Sequence, residues 1–249
     1  MSKLQRWYDS ENRLNILRRT AKEVRSYAVQ RKVLTTALAC LTLLTTLLYM
    51  CAALYKNSGS FSVSVNKVEM TKYGLSLSET KDMAYATSHL NAKINEHMTN
   101  IAEREIPPNV DMVDGEHNGE NYIAYTFYLK NVGEGDLSYE YELAISDITN
   151  QLDEAIRVRL YVNGVPTTYA KTKSGQELDI EGNPILGAEP GTVEFYSGHI
   201  VTKGRVDNFL RNDQTKFTVV VWIEGNDFEC VDDRIDGQLK LEMNMSVVH

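Results

Sequence analysis

The sequence predicts a mainly β protein: an antiparallel β-sandwich or jelly roll with a short helical insertion, preceded by a single transmembrane helix and a basic N-terminal helix. Three observations predict it. Residues 33–55 carry no charge, proline or glycine. Beyond them, short runs alternate apolar and polar residues and are separated by turn formers. Charge is also divided sharply around the apolar stretch, although the 249 residues together give a net charge of −8.

Residues 1–32 hold nine Lys/Arg against the three acids Asp9, Glu11 and Glu23. The part after residue 55 keeps 17 basic and 31 acidic residues of the chain's 26 and 34. Blocks of opposite charge on either side of an apolar segment point to two compartments rather than one soluble domain. The acidic block also argues against nucleic acid as a partner, because a phosphate backbone calls for a net-basic face.

Within the leader, Trp7, Leu14, Ala21 and Ala28 recur every seven residues, with Ser10, Leu17 and Val24 offset by three. Such a seam lies on one face of a helix. Alanine and serine at its core positions make a coiled coil the weaker reading. A basic amphipathic helix lying on the anionic inner leaflet, with Trp7 and Tyr8 at the interface, is the stronger one.

The 23 residues of 33–55 span about 34 Å as a helix, enough to cross a hydrocarbon core of about 30 Å. Five threonines in the stretch (Thr35, Thr36, Thr42, Thr45, Thr46) can return their hydroxyls to helix carbonyls and need not prevent insertion. Arg31 and Lys32 precede the span and only Lys56 follows closely, which predicts a cytoplasmic N-terminus and an extracellular 56–249. The long leader and long apolar stretch favour a retained anchor. Cys51-Ala52-Ala53 offers a small-residue exit, so cleavage stays open as the alternative. Tyr49 and Met50 are too bulky for a lipoprotein signal at Cys51.

The exterior part has 194 residues, enough for one substantial core. Its strand signals begin at Phe61, Val63 and Val65, which alternate with serines. Residues 78–105 have helix-forming composition, and Met83, Leu90, Ile94, Met98 and Ile101 recur at three-, four- and seven-residue spacing. That spacing predicts the helical insertion, ended by Pro107-Pro108. Strands are then expected over 122–131, 137–148, 156–162, 166–170, 217–223 and 237–248, with Asn163-Gly164 as a tight hairpin turn. Residues 171–191 read as a loop rich in glycine and proline. Seven or more short strands separated by turns are the pattern of a sandwich or jelly roll.

Catalytic constellations are not apparent. His89 and His97 stand eight apart, and Glu96 has no histidine at the spacing a zinc peptidase requires. Cys230 is the one cysteine beyond the apolar stretch, so no intradomain disulfide is expected, which fits a bacterial surface. The acidic segment 224–237 is the candidate ion site: Asp227, Asp232, Asp233 and Asp236 could gather oxygens around Ca2+. Its spacing is not that of an EF-hand, and a solvated turn neutralised by Arg234 is the competing reading.

Read together, the basic leader, the apolar segment, Ser60-Phe-Ser-Val-Ser-Val65, Tyr122-Ile-Ala-Tyr-Thr-Phe-Tyr-Leu-Lys-Asn131 and Phe217-Thr-Val-Val-Val-Trp222-Ile-Glu-Gly225 resemble membrane-anchored surface β-sandwich proteins of Firmicutes. More distantly the chain is similar to the TasA/camelysin family of biofilm-matrix fibre proteins. The resemblance implies a jelly roll and an extracellular structural or scaffold role, while the residues themselves point to no cofactor beyond the Ca2+ candidate. It also implies assembly by donation of an N-terminal strand to a neighbouring subunit or matrix protein. Here that strand would present Phe61, Val63 and Val65. The long leader and a retained span imply a tethered relative or anchoring subunit rather than a free fibre monomer. The metallopeptidase activity ascribed to camelysin-type members finds no zinc motif here. The competing expectation is an extracellular sensor that binds an ion or ligand, with residues 1–32 contacting a cytoplasmic partner; an exported hydrolase ranks behind it.

Overall fold

In the computed structural model of the chain, the described residues are 25–27, 29–51, 60–93, 98–171, 188–227, 230 and 237–248. The leader seam through Trp7, Leu14, Ala21 and Ala28 falls outside them. The chain divides into two compact units, Met1–Asn57 and Ser58–His249.

The first unit contains the helix α1 (Arg25–Cys51), 27 residues long and apolar enough to cross a membrane. Leu34, Leu38, Leu41, Leu44, Leu47 and Leu48 are each more than half exposed, whereas the helix of a soluble core would bury such side chains. The threonine hydroxyls close back on the helix as expected. Thr36 Oγ1 donates to the Lys32 carbonyl at 2.6 Å and Thr46 Oγ1 to the Thr42 carbonyl at 2.7 Å. Bonded this way, they present methyl groups rather than unpaired hydroxyls to the helix surface.

The second unit is mainly β. In order it contains β1 (Ser60–Val65), a two-turn helix α2 (Lys67–Tyr73), β2 (Leu75–Ser78), β3 (His89–Lys93), β4 (Gly115–Glu116), β5 (Tyr122–Asn131), β6 (Leu137–Ile148), β7 (Ile156–Val162), β8 (Val165–Ala170), β9 (Val193–Glu194), β10 (Ile200–Phe209), β11 (Gln214–Ile223) and β12 (Leu239–Val248). These make two open sheets. The first runs β10-β6-β12-β1-β3, and the second β2-β5-β11-β7-β8-β9 with β4 also on β5. Neighbours pair antiparallel except β1 on β12 and β8 on β9.

Alternation explains which sheet face is buried. In β12 the pattern is strict: Leu239, Leu241, Met243, Met245 and Val247 are buried while the residues between them are not. They join Phe61, Val63 and Val65 of β1 and, from the second sheet, Tyr125, Phe127, Leu160, Phe217 and Val219 in one core. Rings cross-link the two sheets: Phe61 meets Tyr125 edge-on at 5.6 Å, and Tyr141 meets Phe217 at 5.3 Å. The Tyr139 hydroxyl donates to Thr215 Oγ1 at 2.7 Å, so the buried phenol keeps a partner.

Turn chemistry places the elements between. Asn66 caps α2 by accepting from the Val68 amide, and Gly74 ends it in the left-handed region at φ 72. Asn163 (φ 51) and Gly164 (φ 83) turn β7 into β8 as a two-residue hairpin, as their sequence predicts.

The helical insertion expected over 78–105 is corrected. Its described residues hold the end of β2, turns, β3 and a single 3-10 turn at Glu103–Glu105; 94–97 are not described. Leu90 and Ala92 are buried on alternate positions and pair with Val63 and Phe61, so the working period is two. Met83 sits at φ 58, outside any right-handed helix. Leu90 belongs to the main core and Ile101 to a second, smaller one. Composition favoured a helix, and strand pairing overrode it.

Candidate functional site

Phe61, Val63 and Val65, the expected donated strand, are 2%, 0% and 3% exposed. β1 is bonded on both edges, to β12 and to β3, within its own chain. The strand occupies an interior slot of the first sheet rather than a free surface.

Asp227, the first of the four expected calcium ligands, is also buried. Its Oδ2 lies 2.7 Å from Arg157 Nη2, and neither side chain reaches solvent. Arg157 additionally donates through Nε to Glu189 Oε2 at 2.7 Å and through Nη1 to the Ile156 carbonyl at 3.2 Å. Burial disfavours the guanidinium charge, but Glu189 and Asp227 outweigh it and leave the pKa above its ordinary value. A carboxylate already matched to a buried guanidinium has little capacity left for Ca2+. Asp232, Asp233 and Asp236 lie outside the described residues. Among the described residues no group of three His, Cys, Asp or Glu is placed to hold a metal. His89 and His199 are exposed, and both ring nitrogens of His117 meet backbone carbonyls, at 2.8 and 2.7 Å.

Beside Arg157 on the outer face of the second sheet lies the smaller core, where Ile101, Ile106 and Val110 cover Ala124, Tyr161, Val220 and Trp222. Glu224 closes it. Its Oε2 accepts from Trp222 Nε1 at 2.8 Å and from the Glu103 amide at 3.1 Å, and Arg159 lies over the indole while pairing with Glu103. Burial raises the Glu224 pKa more than the Trp222 hydrogen bond lowers it. The sign follows. A carboxyl whose folded pKa exceeds its unfolded value of about 4.3 contributes stability in full below that value, and the contribution is lost as pH rises through the folded pKa. Urea midpoints of the wild type relative to Glu224→Gln are therefore expected to be higher near pH 4 than near pH 7. A difference growing in the other direction would contradict the assignment.

The outer face of the first sheet is different: polar, open and partly concave. Across β10, β6 and β12 the register aligns Lys203, Glu142 and Asn244 in one row and Arg205, Glu140 and Ser246 in another. The row between them, Gly204, Tyr141 and Met245, turns its side chains to the opposite face. Gly204 is required there, because a Cβ would come within 2.1 Å of the Tyr141 ring. The two polar rows thus wall a trough floored by backbone. Lys203 Nζ pairs with Glu142 Oε2 at 2.6 Å, Arg205 Nη1 with Glu140 Oε1 at 3.5 Å, and Arg205 Nε with Asp207 Oδ1 at 2.7 Å. Ser64 Oγ donates to Asn244 Oδ1 at 2.7 Å, continuing the first row onto β1. Tyr196, 67% exposed, stands beside the trough with Lys203 Nζ 5.3 Å from its ring centre. The open hollow between the rows has a volume of about 540 Å3. Sequence pattern does not point to this site directly, because residues 200–209 are not among the expected strands; alternation of Lys203, Arg205 and Asp207 is the available signal.

No family model and no curated protein matches the chain. Two solved structures of the β-glucosidase from Kluyveromyces marxianus, one selenomethionine-labelled and one with glucose, are similar to it at 12% identity. Each match covers 68% of this chain but only 17% and 16% of the enzyme, with TM-scores of 0.24 and 0.22. Agreement at that level carries no argument about fold or chemistry.

Proposed function

We propose that the protein is a single-pass, membrane-anchored bacterial surface protein whose extracellular β domain, an antiparallel sandwich, acts through protein or matrix contacts rather than catalysis. In this reading residues 33–55 sit in the bilayer, the basic leader lies on the anionic inner leaflet, and residues 56–249 face outward. The observation that carries it is α1, an apolar helix with its leucines exposed, in a unit separate from the β unit, which has its own core. The strand-and-turn likeness to TasA-type proteins supports an anchoring role beside fibre subunits, with β1 as the segment that would be exchanged.

Cysteine labelling tests the topology. In a Cys230→Ser background, Tyr85→Cys (83% exposed) is expected to react with a membrane-impermeant maleimide on intact cells. Lys3→Cys is expected to react only after permeabilisation. The reverse pattern would overturn the orientation, and equal protection of both sites would overturn a surface location.

A further inference from the structure

The trough on the outer face of the first sheet has features a fortuitous hollow lacks. Its walls are side chains paired across strands, and its floor is backbone because the intervening row of Gly204, Tyr141 and Met245 turns to the other face, where Gly204 leaves room for the Tyr141 ring. The lining contains two carboxylates, Glu140 and Glu142, and two cations, Lys203 and Arg205. Each cation contacts a carboxylate. A phosphate or uronate would compete with those carboxylates, and a metal cation would compete with the ammonium and guanidinium. Asp207 also pairs with Arg205, so both cations are already matched by carboxylates and the site offers an anion no free positive charge; it complements an uncharged ligand.

It is nonetheless dense in oriented donors and acceptors. Glu140 and Glu142 keep lone pairs beyond those that their cations occupy, and Asn244 and Ser246 add an amide and a hydroxyl, both exposed. Groups of this kind, fixed on rigid strands, suit neighbouring hydroxyls that donate and accept at once. Beside them Tyr196 offers an exposed aromatic ring, an apolar platform with a polar tip. Hydroxyl-binding walls next to an aromatic platform match one chemistry: a pyranose ring, polar at its edge and apolar on its C–H face. The volume lies within the range of about 300–1,000 Å3 typical of small-ligand sites, and the open trough allows a chain to continue past it.

We infer that the trough lined by Glu140, Glu142, Lys203, Arg205, Asn244 and Tyr196 binds an uncharged polysaccharide segment. This deepens the surface-contact reading by naming a ligand class, and rests on it only for where the ligand is met.

The test is calorimetry on the full chain in lipid nanodiscs, with chitohexaose, cellohexaose and maltohexaose as separate probes and polygalacturonate as the charged comparison. One or more of the neutral hexaoses should bind, and Tyr196→Ala should weaken that binding at least tenfold without shifting the melting transition. Glu142→Gln should weaken it as well, since it removes both an acceptor and the partner that holds Lys203. Three results would overturn the proposal: no heat with any neutral probe at millimolar concentration, binding unchanged in both variants, or tighter binding of polygalacturonate. Because the purified chain is used, failure here leaves the topology experiment to decide the surface reading independently.

Discussion

Arg157→Ala is expected to destabilise the β domain by about 3–5 kcal/mol, the cost of removing one partner from a buried ion cluster. Arg157 is fully buried and lies in contact with Glu189, Asp227 and the Ile156 carbonyl. Truncation would take the guanidinium away from both Asp227 and Glu189, and alanine supplies no donor in its place. Arg157→Lys should also fail, because an ammonium cannot reach two carboxylates in the planar geometry of a guanidinium. A combined Arg157→Met, Glu189→Gln, Asp227→Leu variant should recover much of the loss, since the uncompensated charge is gone. Urea unfolding followed through the buried Trp222 would read all three. A loss below about 1 kcal/mol for the single alanine variant would mean that the cluster is screened as a surface pair is. The position has structural weight because Glu189 and Asp227 lie on separate connections and meet on one strand, β7. Losing Arg157 releases both.

Legibility in the sequence tracked how local the determining interactions are. β5, β7, β8, β11 and β12 were readable because their alternation or β-branched runs are self-contained and Asn163-Gly164 marks a turn by its own backbone preference. α1 was readable for the same reason: length and apolarity are local properties. β3 was not, because Leu90 and Ala92 become strand residues only by pairing with β1, more than twenty residues earlier. β10 was hidden by Gly204, which weakens strand propensity until Tyr141 of the neighbouring strand covers it. The candidate sites show the same division. Asp227 was recognisable as an acid in a turn, but the guanidinium that occupies it comes from position 157. The trough exists only through the register of three strands, with Lys203 brought against Glu142 across sixty residues of sequence.

Deleting residues 60–65 from the full chain is expected to abolish cooperative folding of the β domain. Phe61, Val63 and Val65 are each buried, and full burial of such side chains is worth about 1.5–3 kcal/mol apiece, a large share of a typical domain's roughly 5–15 kcal/mol. β3 pairs in its sheet with β1, so it loses its ladder too, and β12 is left with an unpaired, apolar edge. That edge bears on assembly. A strand supplied by a second copy would make the same parallel register on β12, Phe61 opposite Leu241 and Val63 opposite Met243, as the chain's own strand does. The cis and exchanged forms would therefore have nearly equal contact energy, and the linker length together with protein concentration would decide between them. The outward pair Ser62 and Glu242 reports which form exists. In a chain otherwise free of cysteine, Ser62→Cys with Glu242→Cys and a short thiol cross-linker should give cross-linked monomer when β1 is paired in cis, and a ladder of oligomers when strands are exchanged. Monomer at every concentration would remove strand donation as the route to assembly. A ladder that appears only above a threshold concentration, and is suppressed by added peptide of sequence 60–65, would establish it.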